Sequence, residues 1–194
     1  MRRTAVLVLL GALGLSGCGI STDLATSNKS LVLLELVAIE TDAGDPKGEV
    51  ADNFLLSDVD SDGSAFNDNA IAELVAITKN PNLTSPGDLQ NVVMERYRVR
   101  FYRSDGRNTE GVDVPYTFQG ALGTRLIAGG GSEKVAFILI RHQAKREPPL
   151  SQLVGNGGAR ILTCFAEITF YGRTLKGDVV TTQATVSVSF ADFG

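Results

Sequence analysis

Tryptophan is absent from the 194 residues, and histidine occurs once, at His142. A single imidazole excludes a histidine-rich metal centre, and no HxH, HExxH or CxxC spacing stands in for one. It also leaves a serine or cysteine nucleophile with one imidazole base at most, and no nucleophile-elbow motif accompanies it. Positive charge is scarce as well: 18 Lys and Arg stand against 22 Asp and Glu, a formal net charge of −4. A nucleic-acid binder shows an excess of basic residues, so composition gives that class no support. Two cysteines, Cys18 and Cys164, are too few for a disulfide framework. No apolar run reaches the roughly 20 residues that a membrane-spanning helix needs. The glycine runs "AGGGS" and "GNGG" lack the strand–loop–helix setting of a phosphate cradle and read as loop punctuation.

What is present begins with an address. "MRR" is a short positive segment, and "TAVLVLLGALGL" is an apolar stretch of about a dozen residues, the pattern of an export signal. It ends in "LSGC", Leu15 to Cys18, which resembles the lipobox of bacterial lipoprotein precursors at all four positions. The resemblance implies removal of residues 1–17, diacylation of the Cys18 thiol by palmitate-type chains, and acylation of the new amino group. One acyl chain holds a protein at a membrane marginally, whereas two or more anchor it stably. Gly19 in place of Asp implies sorting to the outer membrane where the cell has one. Residues 18–30 then read as the lipidated cysteine and a polar tether, whose last twelve residues reach at most about 40 Å. With Cys18 committed to lipid, Cys164 has no partner within the chain, and its setting in "ILTCFAEITF" predicts an inert buried thiol.

Residues 31–194 read as one domain of short strands. "LVLLELVAIE", "VADNFLLSDV" and "AIAELVAIT" are β-rich runs separated by turn chemistry such as "DPKG". "VVMERYRVRFYRSDG" alternates: Val93, Tyr97, Val99 and Phe101 are expected on a dry face, with Arg96, Arg98 and Arg100 on a wet one. "YTFQGAL" and "KVAFILIRHQA" read as strands, and "REPPLSQLVGNGG" as loop with a helical turn. "ARILTCFAEITFYG", "RTLKGD" and "VVTTQATVSVSFADF" form a long hairpin, with Val180, Thr182, Ala184, Val186, Val188 and Phe190 on its greasy side. The pattern predicts an all-β domain, a sandwich or a barrel. In architecture it resembles an immunoglobulin- or fibronectin-III-type fold, an antiparallel two-sheet sandwich of about eight strands over residues 31–192. It lacks the tryptophan and the inter-sheet cysteine pair of antibody domains.

Two features point to chemistry. "DVDSDG" resembles the opening of calcium loops, and alternate carboxylates of Asp58, Asp60 and Asp62 before Gly63 suit an ion that takes 6–8 hard oxygens. The Ser64 carbonyl is a further ligand in that register. Asn69 stands where an EF-hand has its bidentate Glu, and the flanks are strands, so a plain hairpin turn reads the same residues. The second feature is the row of Arg96, Arg98 and Arg100, about 7 Å apart along a strand. Such a row grips an acidic partner or pairs with acids across a sheet. The expected function is therefore a lipid-anchored cell-envelope protein with a non-enzymatic interaction or structural module. Its expected partners are the membrane, through lipid, and envelope proteins or polysaccharide. A calcium-binding recognition module is the alternative, and a carbohydrate hydrolase, which needs two facing carboxylates, is a further one.

Overall fold

A computed structural model describes residues 30–42, 50–80, 82 and 86–193. The signal segment, Cys18 and the tether up to residue 29 lie outside the described residues. The strands are β1 (Val32–Asp42), β2 (Val50–Asp52), β3 (Phe54–Asp58), β4 (Asp68–Thr78), β5 (Val92–Tyr102), β6 (Phe118–Ala121), β7 (Arg125–Leu126), β8 (Glu133–Ile140), β9 (Leu162–Thr174) and β10 (Val179–Ala191). One helical turn, α1 (His142–Lys145), and a 3-10 turn at Leu150–Leu153 lie between β8 and β9. Among the described residues, no helix is long and apolar enough to cross a membrane.

The strands form two sheets, ordered β2-β1-β4-β8 and β3-β10-β9-β5-β6, with β7 pairing beside β6 along β5. The series β1-β4-β8 facing β10-β9-β5-β6 is the A-B-E and G-F-C-C′ arrangement of an immunoglobulin-like sandwich. The fold is thus the expected all-β one. One pairing departs from the antiparallel pattern: β3 runs parallel to β10, with Phe54 opposite Ser187 and Asp58 opposite Ala191.

Alternation explains the packing. On β10, Val180, Val186, Val188 and Phe190 are buried, while the hydroxyl-bearing set between them faces outward. Its partner β9 buries Cys164, Ala166, Ile168 and Phe170. The inner faces meet in an aromatic cluster: Phe137 of β8 stands edge-on to Tyr97 at 5.2 Å and to Phe170 at 5.3 Å. Each such large apolar side chain contributes about 1.5–3 kcal/mol by leaving water. The Tyr97 hydroxyl accepts a bond from the Ile138 N–H at 3.2 Å, tying the second sheet to the first.

Four expectations change in three dimensions. Val93 lies on the outer face, because a bulge between Met94 and Arg96 leaves Glu95 opposite no residue of β9. One extra residue reverses the side-chain parity, so β5 buries Val92 and Met94 before the bulge and Tyr97, Val99 and Phe101 after it. "VADNFLLSDV" is two strands, not one. Asn53 at φ 57 breaks it, its N–H donating to the Ile39 carbonyl and its own carbonyl accepting from Ser187 N. The chain thereby switches sheets. The aspartate segment is not a hairpin turn either, since β3 and β4 belong to different sheets and residues 59–67 arch between them. Finally, the strand around His142 ends at Ile140, and His142 opens α1.

The sandwich has two distinct ends. Pairing of Val32 with Thr78, and of Val92 with Thr174, puts residue 30 at the same end as the β9–β10 turn. Residues 59–67, 103–117 and 141–161 all lie at the other end, where β3, β5, β8 and β10 finish. The polypeptide that leads back to Cys18 leaves from the end remote from these long loops.

Candidate functional site

The outer face of the β3-β10-β9-β5-β6 sheet carries the arginine row where the sequence places it. Beyond the bulge, even-numbered residues of β5 point outward. Arg96 stands opposite Tyr171, Arg98 opposite Thr169, and Arg100 opposite Glu167. Each is held differently. The Arg96 guanidinium lies 4.3 Å from the centre of the Tyr171 ring, a cation–π geometry. Arg100 Nε is 3.3 Å from Glu167 Oε1. Arg98 is half-buried and lies between Thr169 and Gln119.

The neighbours extend this surface. At the bulge, Val93 stands opposite both Arg173 and Arg125, and Arg173 Nε reaches Glu95 at 3.2 Å. Five arginines therefore share a face with two glutamates, each of which is engaged by one of them. Beside them, β10 presents Thr181, Gln183 and Thr185, opposite Tyr171, Thr169 and Glu167. Tyr102 and Phe165 stack at 5.4 Å at the loop-rich end of the row. In a chain with more acids than bases, five of the 18 Lys and Arg thus lie together on this face.

At that same end, the chain after β5 and the chain before β9 enclose a cleft of about 490 Å³. Arg103, Arg107 and Arg160 line it, with Asp113 and apolar Leu153 and Ile161. Asp105 clamps two of these arginines: Arg103 Nε donates to Oδ1 at 3.1 Å, and Arg107 Nε to Oδ2 at 3.3 Å. The Arg103 hydrogen bond is the main reason that the Asp105 carboxyl is held down at about 2. Sequence reading missed this cleft. Its only local signal was the arginine pair spaced across "RSDGR"; Arg160 joins through the register of β5 with β9.

The aspartate segment looks different from a metal cradle. Asp58 Oδ1 accepts from Phe193 N at 3.1 Å and Asp60 N at 3.3 Å, and Asp60 Oδ2 accepts from Gly63 N at 3.0 Å. Arg146 lies across the turn, 3.2 Å from Asp60 Oδ1 and donating to the Gly63 carbonyl at 2.9 Å. Asp62, at φ 51, is exposed. The three side chains are not brought to a common point, and among the described residues no group of three or more His, Cys, Asp or Glu converges as metal ligands would. Asp68, near the other end of the arch, instead meets the buried Lys145 Nζ at 2.8 Å and accepts from the Ser57 hydroxyl at 2.5 Å.

The remaining reactive side chains are quiet. His142 is exposed, its backbone N–H donating to Asn67 Oδ1 at 2.7 Å with the ring Nδ1 3.1 Å from the same oxygen. Cys164 is fully buried, and burial pushes its thiol up to about 12, which removes thiolate character at neutral pH. No family model matches the chain, and no curated protein matches it.

Proposed function

We propose that this protein is a lipid-anchored envelope module that binds an acidic partner, without catalysis, through the outer face of its larger sheet. The observation that carries the reading is the row of Arg96, Arg98 and Arg100 on one open face, of which only Arg100 has a carboxylate opposite it. Guanidinium groups held in place by ring and carboxylate contacts lose less freedom on binding than free side chains do. The N-terminal "LSGC" supports the anchor, and with Cys18 acylated the sandwich stays within tether reach of the membrane.

A binding role is also favoured over hydrolysis by the cleft's composition. It sets one carboxylate, Asp113, among three guanidiniums, whereas glycoside hydrolysis uses two facing acids. The test has two arms on the full-length protein made in a bacterial host. Wild type partitions into detergent and carries acyl mass on Cys18, while Cys18→Ala does neither. Solubilised wild type binds acidic polymers in a salt-sensitive way, and Arg96→Ala/Arg98→Ala/Arg100→Ala weakens this. An unmodified Cys18 on processed protein refutes the anchor; binding that ignores the triple substitution refutes the face.

A further inference from the structure

The end from which the chain leads back to Cys18 also gathers apolar side chains. Four segments meet there, and each raises one large aliphatic residue into solvent: Leu31 before β1, Leu89 between β4 and β5, Ile127 after β7, and Leu175 in the β9–β10 turn. Leu175 is 47% exposed and Leu89 63%, with the other two between them, so about half or more of each meets water. Buried Asn91 ties three of these segments together. Its carbonyl accepts from Leu175 N at 2.9 Å and its Oδ1 from Ala128 N at 2.9 Å, while Lys176 N donates to the Leu89 carbonyl at 2.9 Å. Gly129 N donates to the Ala76 carbonyl of β4 at 2.8 Å, and Lys79 N to the Leu31 carbonyl at 2.9 Å, which joins the fourth. The four tips are held in one rim.

Exposed apolar surface rimmed by polar groups marks a protein or membrane contact, and two observations choose the membrane. The chain that precedes the described residues leaves from this rim, and the twelve residues between Cys18 and Leu31 span at most about 40 Å. A bilayer holding an acylated Cys18 is therefore always within reach of the tips, at an effective concentration that lets a weak contact persist. Lys79 and Lys176 are exposed on the same rim, and lysine stems lie along apolar surface while their heads reach lipid phosphate. The nearby carboxylates are engaged: Asp178 lies 3.8 Å from Lys176 Nζ, and Asp88 accepts from Asn91 Nδ2 at 3.3 Å. The opposite end exposes Phe66, Tyr116 and Ile161, but it carries Asp58, Asp60 and Asp62 and lies a full strand length from the tether.

We propose that this rim seats on the lipid bilayer that carries the anchor, with Leu31, Leu89, Ile127 and Leu175 entering the headgroup region as a shallow wedge. This rests on the reading of Cys18 as lipidated and adds what the anchored end does. The strands run from this end to the other, so docking stands them away from the membrane and leaves the arginine face of β5 open at its side. Acyl chains limit the distance of the domain from the bilayer; the wedge sets its orientation.

Tryptophan is absent from the chain, so one introduced indole reports its surroundings without background. The experiment is fluorescence of the full chain, made and processed in a bacterial host and reconstituted in vesicles of phosphatidylcholine and phosphatidylglycerol, with and without acyl-brominated lipid. The Leu89→Trp and Leu175→Trp reporters should shift to the blue and be quenched by the brominated lipid. Phe66→Trp, at the opposite end, should show neither effect. Adding Leu31→Asp/Leu89→Asp/Ile127→Asp to Leu175→Trp should abolish the quenching while the protein stays on the vesicles through its lipid. All these positions are exposed, and an unchanged melting temperature checks that each variant is folded. Vesicle-bound protein whose Leu89→Trp and Leu175→Trp reporters stay unquenched overturns the docking and leaves the anchor standing; equal quenching at Phe66→Trp overturns the docking too. An unmodified Cys18 overturns the anchor, and the docking is then decided on its own. That thiol is coupled to a maleimide lipid, with Cys164 buried out of reach: quenching of the Leu175→Trp reporter upholds the wedge, and its absence overturns it.

Discussion

Removing one oxygen, in Tyr97→Phe, tests how the two sheets are joined. Tyr97 is buried at the centre of the aromatic cluster, and its hydroxyl accepts the Ile138 N–H of β8 across the sandwich. Phenylalanine keeps the ring contacts with Phe137 at 5.2 Å and Phe118 at 6.2 Å. Only the acceptor is lost. A net hydrogen bond contributes about 1 kcal/mol, and stranding the Ile138 donor in a half-buried setting raises the cost to about 1–3 kcal/mol. For a domain of this size that corresponds to roughly 2–4 °C in Tm for each kcal/mol. Urea unfolding should show a lower midpoint with an unchanged slope, since the surface exposed on unfolding is the same. The phenol adds a pH signature. Burial raises its pKa above the ordinary 10.0, with the Ile138 bond and Arg141 opposing. A raised folded value means that stability is intact below the unfolded pKa and falls as pH climbs through it toward the folded one. Tyr97→Phe should therefore be less stable at neutral pH yet lose less on going to strong alkali. A variant as stable as wild type at neutral pH, or with an identical alkaline limb, refutes the inter-sheet bond.

Four other outcomes follow from single contacts. Cys164→Ala should also soften the alkaline limb, because the thiol pushed up to about 12 from 9.0 destabilises the fold as pH rises between those values; native protein should resist alkylating reagents until unfolded. Gly120→Ala places a Cβ 2.3 Å from the Tyr97 ring and should cost about 1–3 kcal/mol by displacing the aromatic cluster, measured by thermal denaturation. Lys145→Met removes the buried cation from Asp68, whose own side chain is 17% exposed, and should cost about 2–4 kcal/mol; Lys145→Met/Asp68→Leu should regain much of it. Calcium against chelator should leave Tm unchanged, because the Arg146 guanidinium lies against Asp60 and Gly63; a calcium-dependent rise restores the metal reading.

The terminal hairpin is legible down to its inner face. β10 announces its inner face through Val180, Val186, Val188 and Phe190, and its hairpin with β9 is local. The bulge at Glu95 was not legible, because its causes are distant. Leu122 N donates to the Glu95 carbonyl and Met94 N to the Thr124 carbonyl, fixing the offset from another strand. Asn53 was hidden for a related reason: a single residue at positive φ turns one apolar run into strands of two different sheets. The aspartate segment was read from local chemistry, and the local half was correct, since Asp58 and Asp60 do bond nearby backbone. What changed its meaning was Arg146, which sits far along the chain. The arginine row was visible because a period of two is a strand signal by itself. The cleft was not, because Arg103 and Arg160 share a site only once β5 and β9 are in register.

The polarity of the sandwich bears on how such a module works on a membrane. In antibody variable domains the binding loops cluster at the end that holds the β4–β5 and β9–β10 connections. Here that end also holds residue 30, from which the chain leads to Cys18. With lipid at Cys18, those loops are the ones nearest the anchor. The long segments 103–117 and 141–161 occupy the opposite end, together with the cleft and its arginines. A tether leaving one end frees the other to project, and loops set on a rigid sheet are where binding groups are usually found. β5 joins the two ends, carrying Arg96, Arg98 and Arg100 along the way. Moving the anchor tests this logic: a full chain with Cys18→Ala and a lipidated segment attached after Phe193, at the end where β10 finishes, should reach the membrane yet lose surface binding of acidic polymers. Undiminished binding by that reversed protein means that orientation is irrelevant and that the sheet face alone meets its partner.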